Sequence, residues 1–279
     1  MISVLPGLPQ LQALVLCQVN LSDANVYPFC QMLMELQALK RINISNNQGL
    51  SSESLTEIVG AFKAMNQLQE IELSKLNCNS VEVFRELADL IIQNRRLKSI
   101  IMQRSGVTDA LASYLAEPLV RAQQMETLRF DYNELTGTFL EKYCRKMAMI
   151  GFSAALHGPN APGAGIDRNA SASLLASESE DALTGRVSEP PAAGGPSGLI
   201  ALSLEGNDIG DRGAEAIATM IQKESDATRS LKTINLNECG IGNAGFQKLK
   251  KALGMRGSLT KSCNLTHIGI KVERNLFDM

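Results

Sequence analysis

The stretch LIALSLEGNDIGDRGAEAIATMI, residues 199–221, carries two periodicities in succession. Leu202 and Leu204 alternate with Ser203, the period-2 mark of a short strand with one buried face. Further on, Gly213, Ala214, Ile217 and Ile221 fall at helical spacing. Asn207 lies between the two, where the backbone has to turn away from the strand. Its amide can hydrogen-bond backbone groups that such a turn leaves unpaired.

The same unit recurs along the chain, and a period of this kind decides a fold before any single motif does. The template L-x-x-L-x-L-x-x-N/C-x-L fits Leu199, Leu202, Leu204, Asn207 and Ile209, then Leu231, Ile234, Leu236, Cys239 and Ile241. It fits Met125, Leu128, Phe130, Asn133 and Leu135, and more loosely the runs that start at Leu11, Leu39, Leu68 and Leu97. Successive starts lie 28, 29, 29 and 28 residues apart through Met125, then 74 to Leu199 and 32 to Leu231. The spacing predicts parallel strands near 13–17, 41–45, 70–74, 99–103, 127–131, 201–205 and 233–237. At the ninth position stand Asn47, Asn133, Asn207 and Cys239, whereas Val19, Leu76 and Ser105 depart from the pattern. Helical faces follow, as in Leu55, Ile58, Val59 and Phe62 or Phe84, Leu87, Ala88 and Ile91. A helix is about 10 Å across and strands lie under about 5 Å apart, so stacking these units splays the helices outward.

The period, the helix in each repeat and the run from Leu204 to Ile217 resemble the ribonuclease-inhibitor-like subfamily of leucine-rich repeats. That resemblance implies an α/β fold, a right-handed leucine-rich-repeat horseshoe solenoid with a parallel concave sheet and convex helices. One solenoid domain is expected, its N-terminal repeats in 1–157 and its C-terminal repeats and cap in 199–279. Residues 158–198 interrupt it: 26 of these 41 are Gly, Pro, Ala or Ser, and none is aromatic. Such a segment buries too little apolar surface to offset its ordering entropy, so a disordered loop on the convex side is expected.

Both ends are unusual. Counting from Leu259 places Ser262 and Asn264 at buried positions, whereas a slip of one residue places Cys263, Leu265, Ile268 and Ile270 there. The slipped register is the expectation, with Lys271 to Met279 as a cap. At the other end, Met1 to Gly7 offers no polar cap over Leu14 and Leu16. Solenoid ends need covering, which points to further repeats or to end-to-end self-association through the first repeat.

Composition narrows the function. The chain is 44% apolar but only 4% aromatic, without Trp, so its core is aliphatic. A net charge of −2 and the lack of a Lys/Arg run argue against nucleic acid, and no stretch suits a membrane span or secretory leader. Six scattered cysteines read as reduced, buried thiols of a cytoplasmic or nuclear protein. His157 and His267 form no nucleophile–base pair, and no phosphate loop or metal-ligand spacing occurs. Neither an enzyme active site nor a cofactor is expected.

What remains is a surface. Residues between and just after the template leucines should project from the concave sheet, and the richest cluster, Ile101, Arg104, Arg129, Asp131 and Tyr132, is central, with Glu72 and Glu205 as further members of the face. Glu72, Ile101, Arg104, Arg129, Asp131, Tyr132 and Glu205 combine an apolar side chain, two guanidinium groups, a phenol and three carboxylates. Arg and Tyr are enriched at interface hot spots. The resemblance implies a scaffold or adaptor for a protein partner. It also holds an alternative, a GTPase activator similar to the Ran regulator, with Arg104 or Arg129 against the GTPase.

Overall fold

The computed structural model describes residues 8–146, 198–222, 231–259 and 269–271. The expectations for 158–197, His157, Cys263 and His267 fall on residues outside this set.

The described strands form one parallel sheet in sequential order. They are β1 (Ala13–Val15), β2 (Arg41–Asn43), β3 (Glu70–Glu72), β4 (Ser99–Ile101), β5 (Thr127–Arg129), β6 (Ala201–Ser203), β7 (Thr233–Asn235) and β8 (Gly269–Lys271). β1 to β7 begin where the repeat places them, and each is three residues long, shorter than the expected five. The reason is conformational. Three residues past each of β1 to β7 the backbone is left-handed, at Gln18, Asn46, Lys75, Arg104, Tyr132, Gly206 and Glu238, with φ between 52° and 69°. Strand pairing nevertheless runs on through these residues in the first six repeats, for example Gln18 N–H to Ser45 O at 3.1 Å and Lys75 N–H to Gln103 O at 2.7 Å.

Where the ninth residue is Asn, Ser or Cys, it closes the turn. Asn207 accepts from the N–H groups of Asn133 and Leu135 at 3.2 and 3.1 Å, and donates to the carbonyls of Phe130 and Leu204 at 2.8 Å each. Asn133 does the same between Ser105, Val107, Met102 and Phe130, and Asn47 between Val19, Leu21, Leu16 and Ile44. Cys239 keeps the donor half, its thiol donating to Leu204 O at 3.1 Å. Ser105, an outlier by residue type, also keeps it, with its hydroxyl 2.9 Å from Leu73 O. Leu76 alone of this inner series is a plain hydrocarbon, buried among the core residues.

Helices form the second layer: α1 (Val26–Glu35), α2 (Ser52–Phe62), α3 (Val81–Gln93), α4 (Asp109–Ala112), α5 (Ala116–Arg121), α6 (137–146), α7 (Gly210–Gln222) and α8 (Asn243–Leu259). Ser51, Ser80 and Thr108 cap α2, α3 and α4 by accepting from first-turn N–H groups. Where one helix was expected, the fourth repeat has two, because Pro118 has no N–H for the carbonyl of Tyr114. Carboxylates at three helix starts reach into the next repeat. Asp23 accepts from Ser51 N–H at 2.8 Å, Asp109 from Thr136 N–H at 2.8 Å, and Asp211 from Gly242 and Gly245 N–H at 2.7 and 3.0 Å.

The long interval after Met125 leaves no gap in the solenoid, since Thr127, Leu128 and Arg129 pair directly with Ala201, Leu202 and Ser203. The helices meet as closely. A Cβ on Gly213 would stand 3.1 Å from Gly137 Cα, and one on Gly137 only 2.6 Å from Gly213 N, so α6 and α7 touch where neither has a side chain.

The last repeat corrects the sequence reading. Ile270 pairs with Ile234, so Ile270 takes the strand position that the slipped register gives to Cys263. Helix α8 runs on to Leu259. Lys271 therefore belongs to the strand, not to a cap.

Replacing Asn207 by Ala would strand two buried N–H groups at about 1–3 kcal/mol each. Urea unfolding should show a loss of about 3 kcal/mol, with the slope of the transition unchanged. A second outcome concerns the thiols. Burial pushes Cys78, Cys144 and Cys239 each to about 12, while Cys17 is exposed. A disulfide reagent at pH 8 should modify Cys17 at once and those three only on unfolding, as read by peptide mass mapping.

Candidate functional site

Two rows of side chains make the concave surface. The first follows the sheet register, in which Asn43, Glu72, Ile101, Arg129, Ser203 and Asn235 stand side by side on successive strands. The second is the column of left-handed residues three positions on, including Lys75, Arg104, Tyr132 and Gly206. Any residue but glycine in that conformation costs roughly 1–2 kcal/mol. Here the ladder hydrogen bonds from the same residues hold it in place.

The structure brings Arg104, Tyr132 and Glu205 together. The Arg104 guanidinium carbon lies 4.3 Å from the centre of the Tyr132 ring, in cation–π contact. The opposite face of the ring rests on Gly206. A Cβ there would come within 2.3 Å of Tyr132 Cδ1, and the backbone is at φ +69°. Only glycine leaves room for the ring in that conformation. The phenol hydroxyl donates to Glu205 Oε1 at 2.9 Å, and Glu205 Oε2 accepts from Asn235 at 2.8 Å. That hydrogen bond, with burial and the charges of Glu205 and Glu238 behind it, raises the Tyr132 phenol above its usual 10.0. Tyr132 is thus packed between repeats by ring contacts and a hydrogen bond.

Asp131 is the correction at this site. The sequence reading placed it on the accessible face, yet only 1% of it is exposed. Its carboxylate accepts from Gln103 Nε2 at 2.8 Å, from Arg129 at 3.0 Å and from Glu205 N–H at 3.1 Å. Strand alternation has ended by this residue. A polar side chain there is captured by the backbone of the next repeat, as Ser45 is by Ser74 N–H and Ser74 by Gln103 N–H. Asp131 is therefore a positioning residue, and it holds Arg129, whose side chain stays 44% exposed. Ile101 is half-buried between Glu72 and Arg129. Glu72 lies off the centre, its carboxylate taken by Asn43 at 2.6 Å and by Ser74.

Sequence reasoning missed Gly206 as the platform for Tyr132, because a glycine in a turn carries no sign of what stacks on it. It also passed over the ground beside Lys75, although Leu76 and Ser105 in consecutive repeats were a visible signal. Among the described residues no group of His, Cys, Asp and Glu could hold a metal ion, and no helix is long and apolar enough to cross a membrane.

A family pattern described as Leucine Rich repeat matches residues 198–218 and 228–250. No curated protein matches the chain. Residues 198–250 carry leucine-rich repeats, and the same strand–turn–helix unit, in the same sheet register, extends upstream to β1. The fold is that of an α/β leucine-rich-repeat solenoid. Repeats of this kind point to protein partners.

The sandwich can be tested without a ligand. Gly206→Ala should lower stability by about 2 kcal/mol in the parent chain, through overpacking and backbone strain together. In a Tyr132→Ala background the overpacking part disappears, so a double-mutant cycle in urea should return a coupling above about 0.5 kcal/mol.

Proposed function

We propose that this chain is a non-catalytic scaffold that receives a protein partner on the concave sheet, at the patch made by Ile101, Arg104, Arg129 and Tyr132. The observation that supports this is the immobilised state of the patch. Tyr132 is clamped between Arg104 and Gly206, and Arg129 is anchored by the buried Asp131. Freezing a free side chain on binding costs about 0.5–1.5 kcal/mol, and here the fold has already imposed most of that order. The residue types are those that dominate interface energetics, with an apolar neighbour in Ile101 to exclude water.

A second surface lies in the first repeat, whose β1 is an edge strand of the sheet among the described residues. Four large apolar side chains of the first repeat, Val15, Val19, Tyr27 and Met34, are exposed, as is Leu8 just before it. Self-association through that repeat is read as separate from partner binding.

The test begins with affinity capture of a partner from the native cell. Replacing Arg104, Arg129 and Tyr132 together by Ala should then weaken the captured complex by more than about 2 kcal/mol. Circular dichroism and oligomeric state should stay as in the parent. A partner that binds the triple variant as tightly as the parent would rule out the concave face. Faster hydrolysis by GTP-loaded Ran on addition of the chain would instead make it a GTPase activator.

A further inference from the structure

Where the second and third repeats meet the fourth, the concave rim opens into a cleft of about 490 Å³, lined by Gln48, Lys75, Asn77, Arg104, Ser105 and Gly106 around Leu76. Its position has a physical cause. In three other repeats an asparagine reaches into the preceding turn, accepts two of its N–H groups and draws the turns together. Leu76 has no amide, and the shorter Ser105 donates to Leu73 O, while Cys78 N–H turns to the Ser105 backbone carbonyl at 3.2 Å. The turns of the second and third repeats are therefore not joined by an asparagine from the repeat that follows, whereas the Ser105 turn is joined by Asn133.

The chemistry of the cleft is one-signed. Two cationic side chains and the polar groups of Gln48, Asn77 and Ser105 line it, and no carboxylate does. Among the described residues neither the Lys75 ammonium nor the Arg104 guanidinium makes an ion pair, unlike Lys63, Lys98, Arg129 and Arg212. Glu72 and Asp131, the carboxylates of the adjoining rows, are already engaged by Asn43 and Ser74 and by Arg129 and Gln103. Lys75 and Arg104 also both sit in the left-handed conformation, at φ 56° and 52°, where glycine would be relaxed. Arg104 is further held by the Tyr132 ring.

We infer that this cleft is an anion-recognition site for the carboxylate side chains of an acidic segment in the partner protein. Lys75 supplies a compact charge and Arg104 a planar fork suited to a carboxylate, with Asn77 and Ser105 as neutral hydrogen-bonding groups. The assignment rests on the concave-face reading and adds the charge of the segment that docks at its rim.

Fluorescence anisotropy with labelled hexaglutamate at low ionic strength tests it, because screening at 0.1 M salt already acts over about 10 Å. The intact chain should bind hexaglutamate saturably and bind hexalysine not at all. Lys75→Glu should weaken hexaglutamate at least tenfold and Lys75→Gln by less, each with unchanged circular dichroism. Lys250→Glu, on the exposed face of α8, should leave binding as in the parent. Absence of saturable binding, or equal weakening by Lys75→Glu and Lys250→Glu, would overturn the site. So would tighter binding of a ten-residue oligothymidine through Lys75, which would make it a phosphodiester site. A captured partner lost by the triple variant but held by Lys75→Glu would remove the cleft alone and leave the concave face standing.

Discussion

Every backbone N–H and C=O in the turn that follows a strand has to find a partner, because the turn is packed between two others and away from water. In this solenoid the partner is a side chain from the next repeat. Asn47, Asn133 and Asn207 each close hydrogen bonds to two N–H groups and two carbonyls at the turns they join. The left-handed residue before each of them is what bends the chain into reach. Strand length, the spacing of the repeats and the accessible rows of the concave face all follow from that bend.

A repeat that copies its backbone also copies its surface positions, and function then depends on which side chains occupy them. The third residue of each strand and the left-handed residue three further on recur from repeat to repeat, so a row of unlike residues is displayed on like geometry. Tyr132 shows how neighbours then cooperate. Its ring is supported by Gly206 from the following repeat and covered by Arg104 from the preceding one. A side chain that would otherwise sample several rotamers becomes part of a wall. The buried Asp131 does the same for Arg129, at the expense of its own accessibility.

Departures from the repeat are as informative as the repeat. The cleft beside Lys75 lies where Leu76 and Ser105 replace the asparagine in two consecutive turns. The interval between Met125 and Leu199, by contrast, leaves no mark on the sheet, since β5 and β6 pair in register and α6 meets α7 glycine against glycine. An insertion outside the ladder is tolerated when the groups on either side can still pair. A substitution within the ladder changes the local shape.

By itself the sequence determined the parallel α/β solenoid, the starting residue of seven strands, the helical faces and the asparagine column. These depend on local periodicities, of two residues in a strand and 3.6 in a helix, that any short window displays. Only the tertiary structure decided that Asp131 is buried, that Tyr132 needs a glycine 74 residues away, and that the last strand is centred on Ile270 and not on Cys263. Each of those outcomes is a contact between repeats. Past the end of a strand, alternation no longer says where a side chain points, and its place is set by whichever backbone or ring the neighbouring repeat puts beside it.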